Sequence, residues 1–194
     1  MTHAERIKKA FDPYCEVPVQ NWETFVDYLE DVYFEKNEII KRPWETEKYG
    51  YFLLEGSCGV FIWKENNYVC LDLIPENNFF ADHMSLITQQ PTPIETMALE
   101  RCHALRITKS SIDYLKSFQG GAMLFLIGAE YSFVEKQQQQ IDLLLKTPEQ
   151  RYIEILEKSP KMIQNTAQKY IASYLGITTQ SLSRIRKRIM KKRN

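Results

Sequence analysis

One pattern limits the possible folds more than any other. Gly120, Leu124, Ile127, Tyr131, Val134, Gln138, Ile141 and Leu145 recur at steps of 4, 3, 4, 3, 4, 3 and 4. That is heptad spacing, which lays one apolar seam along a single helix. A helix of about 28 residues is roughly 40 Å long and projects past a small domain beside it. The expected element is a dimerisation helix over 119–146, with Leu124, Ile127, Tyr131, Val134 and Ile141 as its contacts. Gln138 interrupts the seam, and a polar residue there fixes register at a cost in stability.

The texture before this helix is different. Residues 20–33 place Trp22, Phe25, Val26 and Leu29 at helical spacing, which predicts an amphipathic helix. From about 34 to 108, short β-branched and aromatic runs alternate with turn signals: NEIIKR, YGYFLLEG, CGVFIWKE, YVCLDLIP, IETMALE and CHALRIT. Asn66-Asn67 between two of them suits a tight hairpin, since Asn tolerates positive φ. Many short strands in close succession predict a sandwich or barrel.

Charge separates the chain into two parts. Lys plus Arg and Asp plus Glu are each 25, so the net charge is zero. Yet residues 151–194 hold eleven basic and two acidic residues, and the first 150 hold 14 basic and 23 acidic. A +9 segment beside a −9 segment implies two domains with different partners. Thr147-Pro148-Glu149-Gln150 marks the junction: Thr147 caps, Pro148 suits the first helical position, and Gln150 completes a capping box.

Several classes drop out. No apolar run approaches the roughly 20 residues of a membrane span, and the N-terminus lacks the apolar stretch of a signal peptide, so the cytoplasm is the expected location. Cys15, Cys58, Cys70 and Cys102 form no CxxC pair and read as small apolar residues. His3, His83 and His103 share no ligand spacing, so no metal, no cofactor and no enzymatic activity are expected.

The basic segment carries the sharpest motif, QKYIASYLGITTQSLSRIRKRI over 168–189. Ile171, Ala172 and Leu175 are the apolar face of a first helix, and Gly176 can take the left-handed conformation that ends it. Ile177 plugs the turn and Thr178 caps a second helix, whose buried face is Leu182, Ile185 and Ile189. This predicts a helix-turn-helix. Thr179, Gln180, Ser183 and Arg184 face outward as base-contacting candidates, because Arg forks onto guanine and Gln onto adenine. Thr178, Arg186, Lys187, Arg188 and Lys191 are assigned to phosphate, with Lys192 and Arg193 beyond them.

With these residues in view, the chain resembles the cyclic-AMP receptor protein / fumarate–nitrate regulator (CRP/FNR) family over nearly its whole length. The resemblance implies an α+β fold: N-terminal helices and a cyclic-nucleotide-binding-like β-roll over 1–118, the dimerisation helix, and a winged-helix-like helix-turn-helix over 147–194. IASYLGITTQSLSRIRKRI resembles the family's recognition segment, and YGYFLLEGSCGVFI its hairpin around a glycine, here Gly56. Any wing is expected from a short hairpin at about 158–166. The implied function is a DNA-binding transcription regulator acting as a homodimer on a near-palindromic site, with RNA polymerase as a further implied partner and no membrane. The alternative is a cyclic-nucleotide or other small-ligand sensing module whose helical tail serves another partner.

The ligand cassette departs from the family's pattern. Ala81-Asp82 stand where the family has Gly-Glu, and Thr92-Pro93 (or Pro91-Thr92) where it has Arg-Ser or Arg-Thr. No Arg or Lys lies between Lys64 and Arg101. A cyclic phosphate buried without a cation loses charge-assisted hydrogen bonds worth about 1.5–3 kcal/mol each. Tight cyclic-AMP binding is therefore not expected. Phe80, Ala81, Asp82, Thr92 and Thr96 are the candidate pocket residues for an unidentified small effector.

Overall fold

The computed structural model describes every residue except Asn66 and Asn194, and no side chain for Lys192 or Arg193. Two short helices open the chain, α1 (His3–Phe11) and α2 (Val19–Val26). Thr2 and Glu5 form a capping box on α1, each satisfying the other's backbone N–H. The amphipathic stretch is helical only to Val26. The strand β1 (Glu30–Phe34) begins inside the expected helix, because its backbone is claimed by a ladder with β8 (Cys102–Thr108).

All six expected strand runs are strands: β2 (Ile39–Lys41), β3 (Tyr49–Glu55), β4 (Ser57–Lys64), β5 (Asn67–Pro75), β7 (Ile94–Ala98) and β8. The two-residue β6 (Phe79–Phe80) and the helices α3 (His83–Thr88) and α4 (Lys109–Lys116) complete the domain. Two antiparallel sheets, β1-β8-β3-β6 and β2-β7-β4-β5, face each other over Leu53, Cys58, Ala98, Cys102 and Ala104. Gly56 turns the β3–β4 hairpin at φ +94, where a Cβ would sit 2.6 Å from the Arg101 carbonyl oxygen. Half of the proposed Asn66-Asn67 turn lies outside the described residues; Asn67 begins β5.

The long helix is α5 (Gln119–Leu145), and its seam divides. Leu124 and Ile127 pack on the chain's own N-terminal cluster around Phe11 and Trp22, and the Tyr131 ring lies 4.7 Å from Tyr14. Val134 and Ile141 stay exposed. The open apolar stripe of α5 includes Met123, Leu126, Phe133, Val134, Ile141 and Leu144, with Phe133 64% and Leu144 85% exposed. The residues expected as contacts at Leu124 and Ile127 are thus partly covered within the chain itself, because α1 and α2 need an apolar cover. Gln138 does not face a core; its amide donates to Asp142 one turn on.

Past α5, every described element is helical: α6 (Pro148–Lys158), α7 (Pro160–Asn165), α8 (Gln168–Leu175) and α9 (Thr179–Arg193). The Thr147–Gln150 capping box forms as expected. The short hairpin expected at 158–166 is α7 instead. Pro160 occupies a first-turn position, and Met162 and Ile163 are drawn into the C-terminal core.

Candidate nucleic-acid interface and ligand pocket

Local chemistry builds the C-terminal hairpin. Gly176 ends α8 in the left-handed region at φ +70, and its N–H bonds back to the Ser173 carbonyl. Thr178 Oγ1 accepts the Ser181 N–H at 3.1 Å and starts α9. Ile171, Ala172 and Leu175 on α8 are buried with Leu182, Ile185 and Ile189 on α9. That burial points the other face of α9 outward.

On this face Thr179, Gln180, Arg184, Lys187 and Lys191 are exposed, and Ser183 and Arg186 half-buried. Two expected phosphate groups have internal duties. The Thr178 hydroxyl caps α9, and Arg188 pairs with Glu149 of α6 at 3.1 Å. The phosphate roles of Lys192 and Arg193 fall on side chains outside those described.

The ligand cassette contains a cation that sequence reading does not place there. Lys41 comes in from β2, far from the cassette in sequence. Its Nζ lies 2.7 Å from Asp82 Oδ2, 2.9 Å from Thr92 Oγ1 and 2.9 Å from the Ile94 carbonyl oxygen. An ammonium has three donors, so all are committed. The Thr92 hydroxyl also bonds the same Asp82 oxygen. Burial raises the Asp82 carboxyl's pKa, but the bonds from Lys41, Thr92 and the Ser85 N–H outweigh it and hold the group below its ordinary value.

Glu47 locks the other side. Its carboxylate accepts N–H bonds from Lys48, Tyr49 and Asp82, while burial pushes its pKa up. Ser85 accepts the Glu47 N–H and donates to the Gln90 carbonyl.

Beside this knot lies a cleft of about 1360 Å³ between the β-roll and α5, with Val60, Leu71, Phe80, Ala81, Leu124 and Gly128 among its walls. Of the five candidate pocket residues, Phe80, Ala81 and Asp82 border the cleft. Thr92 and Thr96 do not. Thr92 is an internal partner of Lys41, and Thr96 is buried with its hydroxyl unpartnered.

The family model for the cyclic nucleotide-binding domain matches residues 31–129, which include the β-roll, the cassette and the first part of α5. The chain belongs to the cyclic nucleotide-binding domain family. Its fold is that of CRP/FNR-type regulators. The c-di-GMP responsive global regulator CLP of Xanthomonas campestris is 15% identical, with TM-score 0.66 over 90% of this chain and 93% of that one. FixK2 of Bradyrhizobium japonicum is 16% identical, with TM-score 0.71 over 84% and 85%. A CooA mutant of Carboxydothermus hydrogenoformans is 16% identical, with TM-score 0.63 over 87% and 79%. No curated protein matches the chain.

Among the described residues no His, Cys, Asp and Glu set is arranged to hold a metal ion. No helix among them is long and apolar enough to cross a membrane.

Proposed function

We propose that this protein is a DNA-binding transcription regulator that works as a homodimer. The observation that carries the reading is the α8–turn–α9 unit, with its left-handed Gly176, its Thr178 cap and its buried Leu182, Ile185 and Ile189. Together they leave Thr179, Gln180 and Arg184 outermost on a strongly basic helix. Such a helix fits the major groove, where its first residues meet base edges. Thr179, Gln180, Ser183 and Arg184 read bases, and Lys187 and Lys191 hold phosphate.

Two copies pair along the apolar stripe of α5, through Met123, Leu126, Phe133, Val134 and Ile141. The pair places its recognition helices about 34 Å apart on a near-palindromic site. RNA polymerase is the further partner this reading implies.

The cassette supports a regulator without tight cyclic-AMP binding. A cyclic phosphate needs free N–H donors from a cation, and the Lys41 ammonium is already bonded three times over. An effector, where one acts, sits in the cleft against α5 and shifts the equilibrium between two helix arrangements by its different affinity for each.

Selection of bound duplexes from a random pool, followed by a salt titration on the selected site, tests the assignment. The expected result is a near-palindrome and a steep negative slope of log affinity against log salt. Failure of the pure protein to retain any duplex at low ionic strength would overturn it.

A further inference from the structure

The reading head is seated on the β-roll at one defined place. β5 is the outermost strand of its sheet, so one side of its backbone has no neighbouring strand. Such an edge must be covered or it recruits other strands. Here α8 covers it. Ser173 Oγ accepts the Cys70 N–H at 2.9 Å and donates to the Tyr68 carbonyl at 3.1 Å. One hydroxyl thereby satisfies a donor and an acceptor two residues apart on the edge, which its single O–H and its lone pairs allow. The Tyr170 ring meets Phe61 of β4 at 4.9 Å. Lys161–Glu76 and Asn165–Glu100 close the rim.

The same stretch of β5 is irregular. Phe61 pairs with Cys70 and Val60 with Asp72, so Leu71 is an extra residue in a β-bulge. Leu71 lines the cleft against α5. Asp72 pairs with Lys136 of α5. Three consecutive residues thus face three parts of the molecule: Cys70 the reading head, Leu71 the cleft, Asp72 the long helix.

We propose that this bulge, residues 70–72 of β5, couples the cleft to the reading head, and that Ser173 is the positioning residue that sets where the recognition helix stands. α8 and α9 share one core, so fixing α8 on β5 fixes α9. A shift at Leu71 moves the Cys70 N–H and carries α8 with it, independently of the chain path through α5. The inference rests on the DNA-reading assignment for its consequence, though not for the contact itself.

The test compares the full-length protein with Ser173→Ala and Ser173→Thr. Threonine keeps the hydroxyl and alanine removes it. Amide hydrogen exchange at Cys70 is read together with affinity for duplexes carrying the selected half-site twice, the spacing varied one base pair at a time. Ser173→Ala should speed Cys70 exchange by about tenfold, the weight of one lost hydrogen bond. It should also flatten the preference for one spacing while leaving affinity for a lone half-site unchanged. Ser173→Thr should restore both.

Unchanged exchange at Cys70 would overturn the docking, and an unchanged spacing preference would overturn the positioning role. Should alanine unfold the reading head, Ser173→Cys makes the same comparison with a near-isosteric, poorly bonding group. If the wild-type protein retained no duplex, the DNA assignment would fall while exchange still decided the docking.

Discussion

Lys41 and Asp82 form a salt bridge inside the β-roll, Nζ to Oδ2 at 2.7 Å, with 3% and 0% of their side chains exposed. Forty-one residues separate them, and each comes from an element that the other stabilises. Asp82 also caps α3 through the Ser85 N–H. The pair therefore ties β2, the cassette helix and the turn at Thr92 into one unit.

Removing one partner of a buried pair strands the other charge. Lys41→Met should cost about 3–5 kcal/mol at neutral pH. The sign with pH follows from Asp82. In the native protein its pKa is depressed, so its contribution is present above the unfolded carboxylate value and is lost as pH falls through the folded value. In the variant, burial without a cation raises it, so stability is lost as pH rises. Urea unfolding from neutral to acid pH should show the gap between the two proteins narrowing towards acid. A constant gap would contradict the role given to the pair.

Cyclic AMP should bind weakly. Isothermal titration of the intact protein should find no micromolar or tighter site, because the Lys41 ammonium that enters the cassette already has its three donors committed.

Recognition and affinity should separate along α9. Arg184→Ala should weaken binding to the selected duplex by about 1–3 kcal/mol and relax preference at one base pair. Lys191→Ala should weaken all duplexes alike and flatten the salt slope by about one. The same uniform loss from both changes would show that the roles along the helix are misassigned.

The apolar stripe of α5 predicts where pairing fails. Phe133→Asp puts a charge on the exposed face and should shift sedimentation towards monomer with little loss of thermal stability. Ile127→Asp should do both, because Ile127 also packs on the N-terminal helices. An unchanged dimer in Phe133→Asp would place the interface elsewhere.

Local features were legible wherever one short stretch carries its own physics. The α8–turn–α9 hairpin is the clearest case: its turn glycine, cap and apolar spacing are all set within 22 residues, and each finds its expected place. The six strand runs and the Thr147–Gln150 capping box share that property. The expectation for α5 was right in extent and divided in use. A heptad pattern reports an apolar face without saying what covers it, and here the chain's own α1 and α2 cover Leu124 and Ile127. The helix expected through residue 33 stops at Val26 for a related reason, since β8 claims the backbone from Glu30.

What sequence alone determined, then, is the type of those elements that carry their own local signal and the chemistry of the outer face of α9, because propensity, capping and periodicity act between residues a few positions apart. Tertiary structure alone decided which distant groups meet. Lys41 enters a cassette that lacks any nearby basic residue, and Ser173 finds an unpaired edge more than a hundred residues earlier. Such meetings depend on how strands are ordered in a sheet and which edge is left open, and no local spacing encodes that order.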